Sequence, residues 1–495
     1  MPARHLLRTA LLSLALLSAT VHAAPDAPDW AASARQDIRF AIDTVATRHA
    51  GIVAGLPSVS APLAAGSALA LAQVDKVQSE QDYLRLMRRF IAGFGDPHTG
   101  IDLRQKTRGW TGIVLDLVDG RYRVVWAEPG WPTPLPPTGA IVQSCDGAWI
   151  GTWLKEEVAP FNSASVEYAG TFSALAQQVM FDAGLGWTPK ACVFDLPDGS
   201  RRRYALPLQV AGDAAGDAAT VARFDTVRRG AAARAKPVGM TALGKGRYWV
   251  GMPDFNGAAS GAAYGALYRQ LATVKDADWI VFDLRGNGGG DSSWGRRALG
   301  VLFGEAYGRE LAEAGGMQKY LIADAATIAL LQHYAAAPEF AASKDEFAAD
   351  LAKVREAMRA GRRMAQVSGA PPASDAPPLP LVVKRPHGPR LAAVIDRNCF
   401  SSCMNFVQQL QATGDAVLLG EATIGYSPLG EIARVDLPSG RGALYIPTAL
   451  YVTAQATREP FVPDYPYPGR MGDDDGLAAW VGRTLDGLRQ ERQGK

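Results

Sequence analysis

The chain has 495 residues, 48% hydrophobic and 20% charged, which suits two to four globular domains with full-sized cores. A formal net charge of +2, with no basic block along the sequence, argues against a nucleic-acid partner. Past the N-terminus no window is apolar enough to cross a membrane.

Arg4, His5 and Arg8 precede an apolar run through Ala10, Ala15 and Leu17, and small residues follow to Val21-His22-Ala23. Residues 1–23 therefore read as a secretory signal peptide cut after Ala23, placing the mature chain in the periplasm or outside the cell. Four cysteines in such an oxidising compartment allow three pairings; proximity favours Cys145 with Cys192 and Cys399 with Cys403. None of the spacings reads as a zinc site, and no metal or cofactor is expected. After the signal the histidines are His49, His98, His333 and His387, so a general base of this type must be one of four.

Residues 26–107 read as a helical domain. Apolar residues recur at helical spacing over 30–49 (Ile38, Ala41, Ile42, Val45) and over 81–94 (Tyr83, Leu84, Met87, Phe90, Ile91). Gly95-Asp96-Pro97 stops the second helix and delivers His98-Thr99 on the turn beyond. From 108 to 210 the period becomes two, with hairpins around Asp119-Gly120 and Asp198-Gly199 and a helical piece near 171–180. Residues 211–236, rich in Ala, Gly and Asp and then basic, read as a linker. Strand 248–252, helix 260–272 and strand 279–284 make a βαβ unit that opens an α/β core over 237–472. Within it, alanine-rich residues 310–363 and a Pro-rich tail to 385 read as a helical insertion serving as a lid. Strand 391–395, helix 402–412, strand 417–420 and strand 443–452 follow, and 473–495 reads as a terminal helix.

Two stretches carry chemistry. Asp283-Leu284-Arg285-Gly286-Asn287-Gly288-Gly289-Gly290 places four glycines after a buried strand, a loop whose bare N–H groups suit a phosphate or an oxyanion; such turns are also often purely structural. It lacks the Gly-Lys-Ser/Thr of a phosphate loop. Strand 391–395 ends in Asp396-Arg397-Asn398-Cys399-Phe400-Ser401-Ser402-Cys403, a serine-bearing turn at a helix start, where a serine is either a nucleophile or a helix cap. The Ser402 N–H is placed to donate to an oxyanion, with the Gly288–Gly289 region supplying a second donor.

Together with Gly420-Glu421-Ala422-Thr423-Ile424-Gly425, these motifs resemble the tail-specific (C-terminal-processing) serine peptidases. The resemblance implies a multidomain α/β fold: an N-terminal helical domain, a PDZ-like β-rich domain and an α/β core of the crotonase-like ββα type. It places the nucleophile at Ser401. The family's lysine base would follow the Gly420–Gly425 motif, where this chain has Tyr426, so no Ser–Lys dyad is available and Tyr426 lines the site. Asp96-Pro97-His98-Thr99 resembles instead the branch of tricorn protease and the interphotoreceptor retinoid-binding modules. That branch implies His98 as base, Thr99 adding a hydrogen bond, and a downstream carboxylate at Glu459, with Asp464 as fallback. Trp110-Thr111-Gly112-Ile113 would be the PDZ-like carboxylate-binding loop, gripping peptides at Gly112 and Ile113. Cys399 and Cys403 flank Ser401; paired they strap its turn, and unpaired they are two small buried apolar groups. The implied activity is a secreted serine endopeptidase acting on proteins or peptides. Two alternatives share the fold: a binding protein without turnover, and a hydrolase of small esters or amides. Oligomeric state is not legible.

Overall fold

The computed structural model describes residues 29–105, 108–164, 167–231, 237–314, 316–369, 381–452 and 459–493. The expected signal peptide lies outside them. At the centre is a six-stranded sheet ordered Gly239–Gly244, Arg247–Gly251, Trp279–Asp283, Arg390–Ile395, Val417–Gly420 and Tyr465–Pro466. All neighbours pair in parallel except the first two. Every residue of Trp279–Asp283 is buried, as expected of a parallel strand covered on both faces. One face holds helices Gly257–Leu271, Ser293–Phe303 and Ser402–Ala412, packed around Phe255, Phe282 and Phe406. The other face is covered by the terminal helix Asp474–Gln493, whose Leu477, Val481 and Leu485 lie against Val281, Ala392 and Val394.

A second sheet is built on the long strand Gly442–Val452, which pairs with Leu429–Asp436, Gln318–Ile322 and Gly100–Leu103. The N-terminal helices pack on it: Ala34, Ile38 and Ala41 share a core with Leu444 and Ile446. Asp37 reinforces this seam, accepting from the Ser439 amide at 3.1 Å and the Tyr83 hydroxyl at 2.6 Å. The N-terminal helical region is thus fastened to the core by strand pairing as well as by apolar contact. Helix Glu80–Ala92 has a capping box, Ser79 with Asp82, which fixes its start and hence the exit of the chain toward His98.

The insertion is not purely helical. Strand Gln318–Ile322, helices Ala325–Ala336 and Lys344–Arg359, and strand Met364–Ser368 form a unit whose strands continue the second sheet. Backbone pairing to Gly442–Val452 anchors it, so the insertion expected as a helical lid is in part a continuation of the second sheet. Alanine content read as helix because Ala favours helices, while the two short strands have too few residues to show a period.

Residues 113–205 form a further antiparallel sheet, Ile113–Val118, Arg121–Ala127, Ile141–Cys145, Ala191–Asp195 and Arg201–Ala205 in that order, closed by the Cys145–Cys192 disulfide. The expected linker at 211–236 instead carries helix Ala214–Ala231, which packs Phe224 and Val227 against Trp110, Val114 and Val125. Arg108–Asp217 and Arg223–Glu128 ion pairs hold it there. Its small residues hid an apolar stripe of two large side chains.

Phe224 stacks on Phe181 at 4.4 Å and meets Trp110 edge-on at 5.8 Å. Phe224→Ala should destabilise the protein by about 3–5 kcal/mol, read as a lower denaturation midpoint. An unchanged midpoint would mean that this helix contributes nothing to the folded unit.

Candidate active site

Strands Trp279–Asp283 and Arg390–Ile395 are neighbours in register, Asp283 opposite Val394, so their C-terminal ends deliver the glycine loop and the serine turn side by side. Ligand crevices in open parallel sheets form at such strand ends. The two loops are stitched together: the Gly286 amide donates to Asp396 at 3.1 Å, and the Phe400 amide donates to the Asn287 carbonyl at 3.1 Å. Gly289 lies directly on the turn. A Cβ there would sit 2.8 Å from the Ser401 Cβ and 3.0 Å from the Ser402 nitrogen, at φ +99°, so only glycine fits.

The two serines differ. Ser401 has φ +55°, a left-handed conformation that non-glycine residues rarely adopt, and it is half-buried in a cleft. Ser402 is buried, and its hydroxyl donates to the Gly290 carbonyl at 2.6 Å while accepting from Ser292. Ser402 is therefore tied into the scaffold, whereas the Ser401 hydroxyl has no hydrogen bond among the described residues. Cys399 and Cys403 are joined and wholly buried, bracketing Ser401 with a covalent staple.

His98 lines the same cleft, with its ring centroid 4.5 Å from that of Phe400. Its Nδ1 is buried without a hydrogen-bond partner. Burial pushes the imidazole below its ordinary pKa, opposed by the charges of Asp96 and Glu431 and by the Leu429 backbone. No hydrogen bond joins His98 to Ser401 among the described residues; such bonds often close only around substrate. Behind His98, the turn is held by a buried chain. The Gly51 amide donates to His49 Nδ1 at 3.1 Å, and His49 Nε2 is 2.9 Å from the Thr99 hydroxyl, which donates to Asp96 at 2.8 Å. Thr99 is thus engaged by His49 and Asp96, and His49 supports the turn that carries His98.

Several expected site residues stand elsewhere. Glu459 is exposed and outside the cleft lining, because Phe461 is pinned to Thr423 by two hydrogen bonds and holds its neighbour in water. Asp464 accepts from the Leu418 amide at 2.8 Å at the sheet edge. The carboxylates whose charge reaches His98 are Asp96 and Glu431. Glu431 sits at φ +48° in the strand Leu429–Asp436 and accepts from Lys319 at 2.8 Å and Tyr451 at 3.1 Å. Nothing in the sequence around Glu431 marked it, since its role comes from a strand paired across the second sheet. The Gly289 amide is also not a free donor, because the Asn287 side chain accepts from it at 2.8 Å. The Gly288 and Ser402 amides make no hydrogen bond among the described residues and remain the two candidates for an oxyanion. Tyr426 is buried and lines the cleft. The Trp110–Ile113 loop is interior: Trp131 lies on Gly112, where a Cβ would approach to 2.6 Å, and Ile113 is fully buried and paired with Ala127. Both Gly112 and Ile113 are therefore covered by other side chains rather than open to a peptide C-terminus.

Arg397 was also missed as a structural centre. Wholly enclosed, it donates to Asp116, to the Ser173 carbonyl at 2.9 Å and to Glu421 at 2.9 Å, and Glu421 in turn accepts from Ser173. Asp116 and Ser173 belong to the 108–210 region, so that region is bonded to the serine turn four residues before Ser401. Gly289→Ala should slow fluorophosphonate labelling of the turn serine by at least about tenfold, because the added methyl group displaces the turn. Labelling of that variant at the wild-type rate would show that the close approach of the two loops is dispensable.

The profile of peptidase family S41 matches residues 249–466. Mature CPAF complexed with lactacystin superposes at a TM-score of 0.66 with 14% identity, over 94% of this chain and 99% of that one. Mature CPAF alone gives 0.62 at 14% identity, over 92% and 96%. At this identity the likeness is one of fold. Tricorn protease aligns at a TM-score of 0.36 with 11% identity, over 93% of this chain and 37% of its own. No curated protein matches the sequence. The glycine loop, the serine turn and the strands that carry them all lie inside the matched segment, so residues 249–466 form a peptidase family S41 segment and mark the protein as a serine-type peptidase.

Proposed function

We propose that this protein is a secreted or periplasmic endopeptidase in which Ser401 attacks the scissile carbonyl and His98 takes its proton. The observation that carries this reading is the convergence of two residues from distant parts of the chain on one cleft, Ser401 in a strained turn with an unengaged hydroxyl and His98 with a buried, unpartnered Nδ1. A serine hydroxyl becomes a competent nucleophile when a neighbouring neutral imidazole removes its proton, and the imidazolium then returns a proton to the leaving amine. Asp96 and Glu431 supply the negative field that stabilises this imidazolium, in place of Glu459. The tetrahedral oxyanion is received by the Gly288 and Ser402 amides. Two disulfides fit an oxidising compartment. Among the described residues no helix is long and apolar enough to cross a membrane. The sheet over 113–205 acts in this reading as a PDZ-like module that braces the serine turn through Arg397.

Fluorophosphonate labelling with peptide mapping tests the assignment. Ser401 should carry the label, and Ser401→Ala and His98→Ala should each lose it and reduce peptide turnover by about 10⁴-fold or more. Label on Ser402 in the wild type would overturn the choice of nucleophile.

The base must be neutral to act, so activity falls as pH drops through its pKa. Because burial holds His98 below the ordinary imidazole value of about 6.5, the acid limb of kcat/KM should lie below that pH. A limb well above it would require a different base.

A further inference from the structure

We propose that the cleft beside Ser401 takes a cationic side chain, lysine or arginine, of a peptide substrate, with Asp291 as its carboxylate anchor. The inference rests on reading Ser401 as the nucleophile and adds a substrate class to it.

Asp291 is 4% exposed and opens helix Ser293–Phe303 at the end of the glycine loop, where it lines the cleft with Ser401 and His98. Its Oδ1 is fully used, accepting from the Ser293 amide at 2.8 Å and the Ser343 hydroxyl at 2.7 Å. Its Oδ2 is buried with no partner among the described residues. A buried carboxylate oxygen without a donor is costly, and a donor arriving with substrate removes that cost. Gln409, 6% exposed, contributes a second buried unpartnered acceptor, Oε1, to the same lining.

The charge balance points the same way. Lys319 is the buried cation of the cleft, and it is already matched by Asp350 at 3.0 Å and Glu431 at 2.8 Å. Arg296 and Glu346 stand partly exposed and 3.9 Å apart, offsetting one another. Asp291 has no ion-pair partner among the described residues. The cavity encloses about 160 Å³, and Met317, Phe340 and Met404 offer apolar surface for the methylene stem of a long cationic side chain. An acidic side chain would instead meet Asp291 and Glu431 and be rejected.

Cleavage of a peptide library by the full-length mature protein, with sites located by mass spectrometry, tests this. Lysine or arginine should be enriched at one fixed position beside the cleaved bond and glutamate depleted there. Asp291→Asn keeps the Oδ1 contacts and removes the charge; it should lower the kcat/KM ratio of a lysine peptide over its norleucine counterpart by about tenfold or more. Gln409→Met should lower the same ratio less, and it serves as the second variant should Asp291→Asn fold poorly. A flat library profile, or an unchanged ratio in both variants, overturns the proposal. Fluorophosphonate labelling of the wild type, run in parallel, separates the two readings. Label on Ser401 with a flat profile sinks the pocket assignment alone, whereas absence of label sinks the nucleophile and the pocket with it.

Discussion

The contact between Gly289 and the serine turn is the constraint on which this site depends. Two parallel strands end together, and their loops approach so closely that a single methyl group at Gly289 would collide with Ser401 and with the backbone on either side of it. That approach sets the left-handed backbone of Ser401 and leaves the Gly288 and Ser402 amides without internal partners. The strain at Ser401 is held by structure on every side: the Cys399–Cys403 bond, the Phe400–Asn287 backbone hydrogen bond and the buried Ser402 hydroxyl.

The same turn is the meeting point of the other regions. Arg397 is enclosed among Asp116, Ser173 and Glu421, a buried ionic cluster whose partners come from a strand and a helix of the 108–210 region and from the end of a central strand. Removing one member would leave a buried charge uncompensated, so such a cluster specifies a unique docking geometry more than it adds stability. On the opposite side, the pairing of Gly100–Leu103 with Gly442–Val452 fixes where the His98 turn ends. The geometry of the cleft is therefore a property of the docked assembly, since Ser401 and His98 reach it from different regions of the chain.

The insertion contributes chemistry as well as cover. Lys319 on its first strand and Asp350 on its second long helix form, with Glu431, a buried ion triad whose outer carboxylate faces the cleft. Burial would lower the lysine, but its two carboxylate partners and Tyr451 raise it well above its ordinary value, so it stays charged. Through Glu431 this region influences His98, and through Ser343 it holds Asp291. A unit tied by backbone pairing can hold such groups in place.

Much of the core was legible from local signals. Continuous apolar runs marked the strands at 279–283 and 390–395, the glycines marked the loop, and Gly95-Asp96-Pro97 marked the turn before His98, because each is dictated by backbone conformation within a few residues. Helix Ala214–Ala231 and the strands Gln318–Ile322 and Met364–Ser368 were not, because small residues and short strands carry little periodicity and are fixed by what they pack against. The exposure of Glu459, the nearness of the Glu431 charge to His98, the closing of the Gly112–Ile113 loop by Trp131, and the unpartnered oxygen of Asp291 were decided by tertiary structure alone. Residue types and local spacing determined which groups were available for chemistry. Which of them share a cleft depends on strand register and on domain docking, and these are set by contacts between residues hundreds of positions apart.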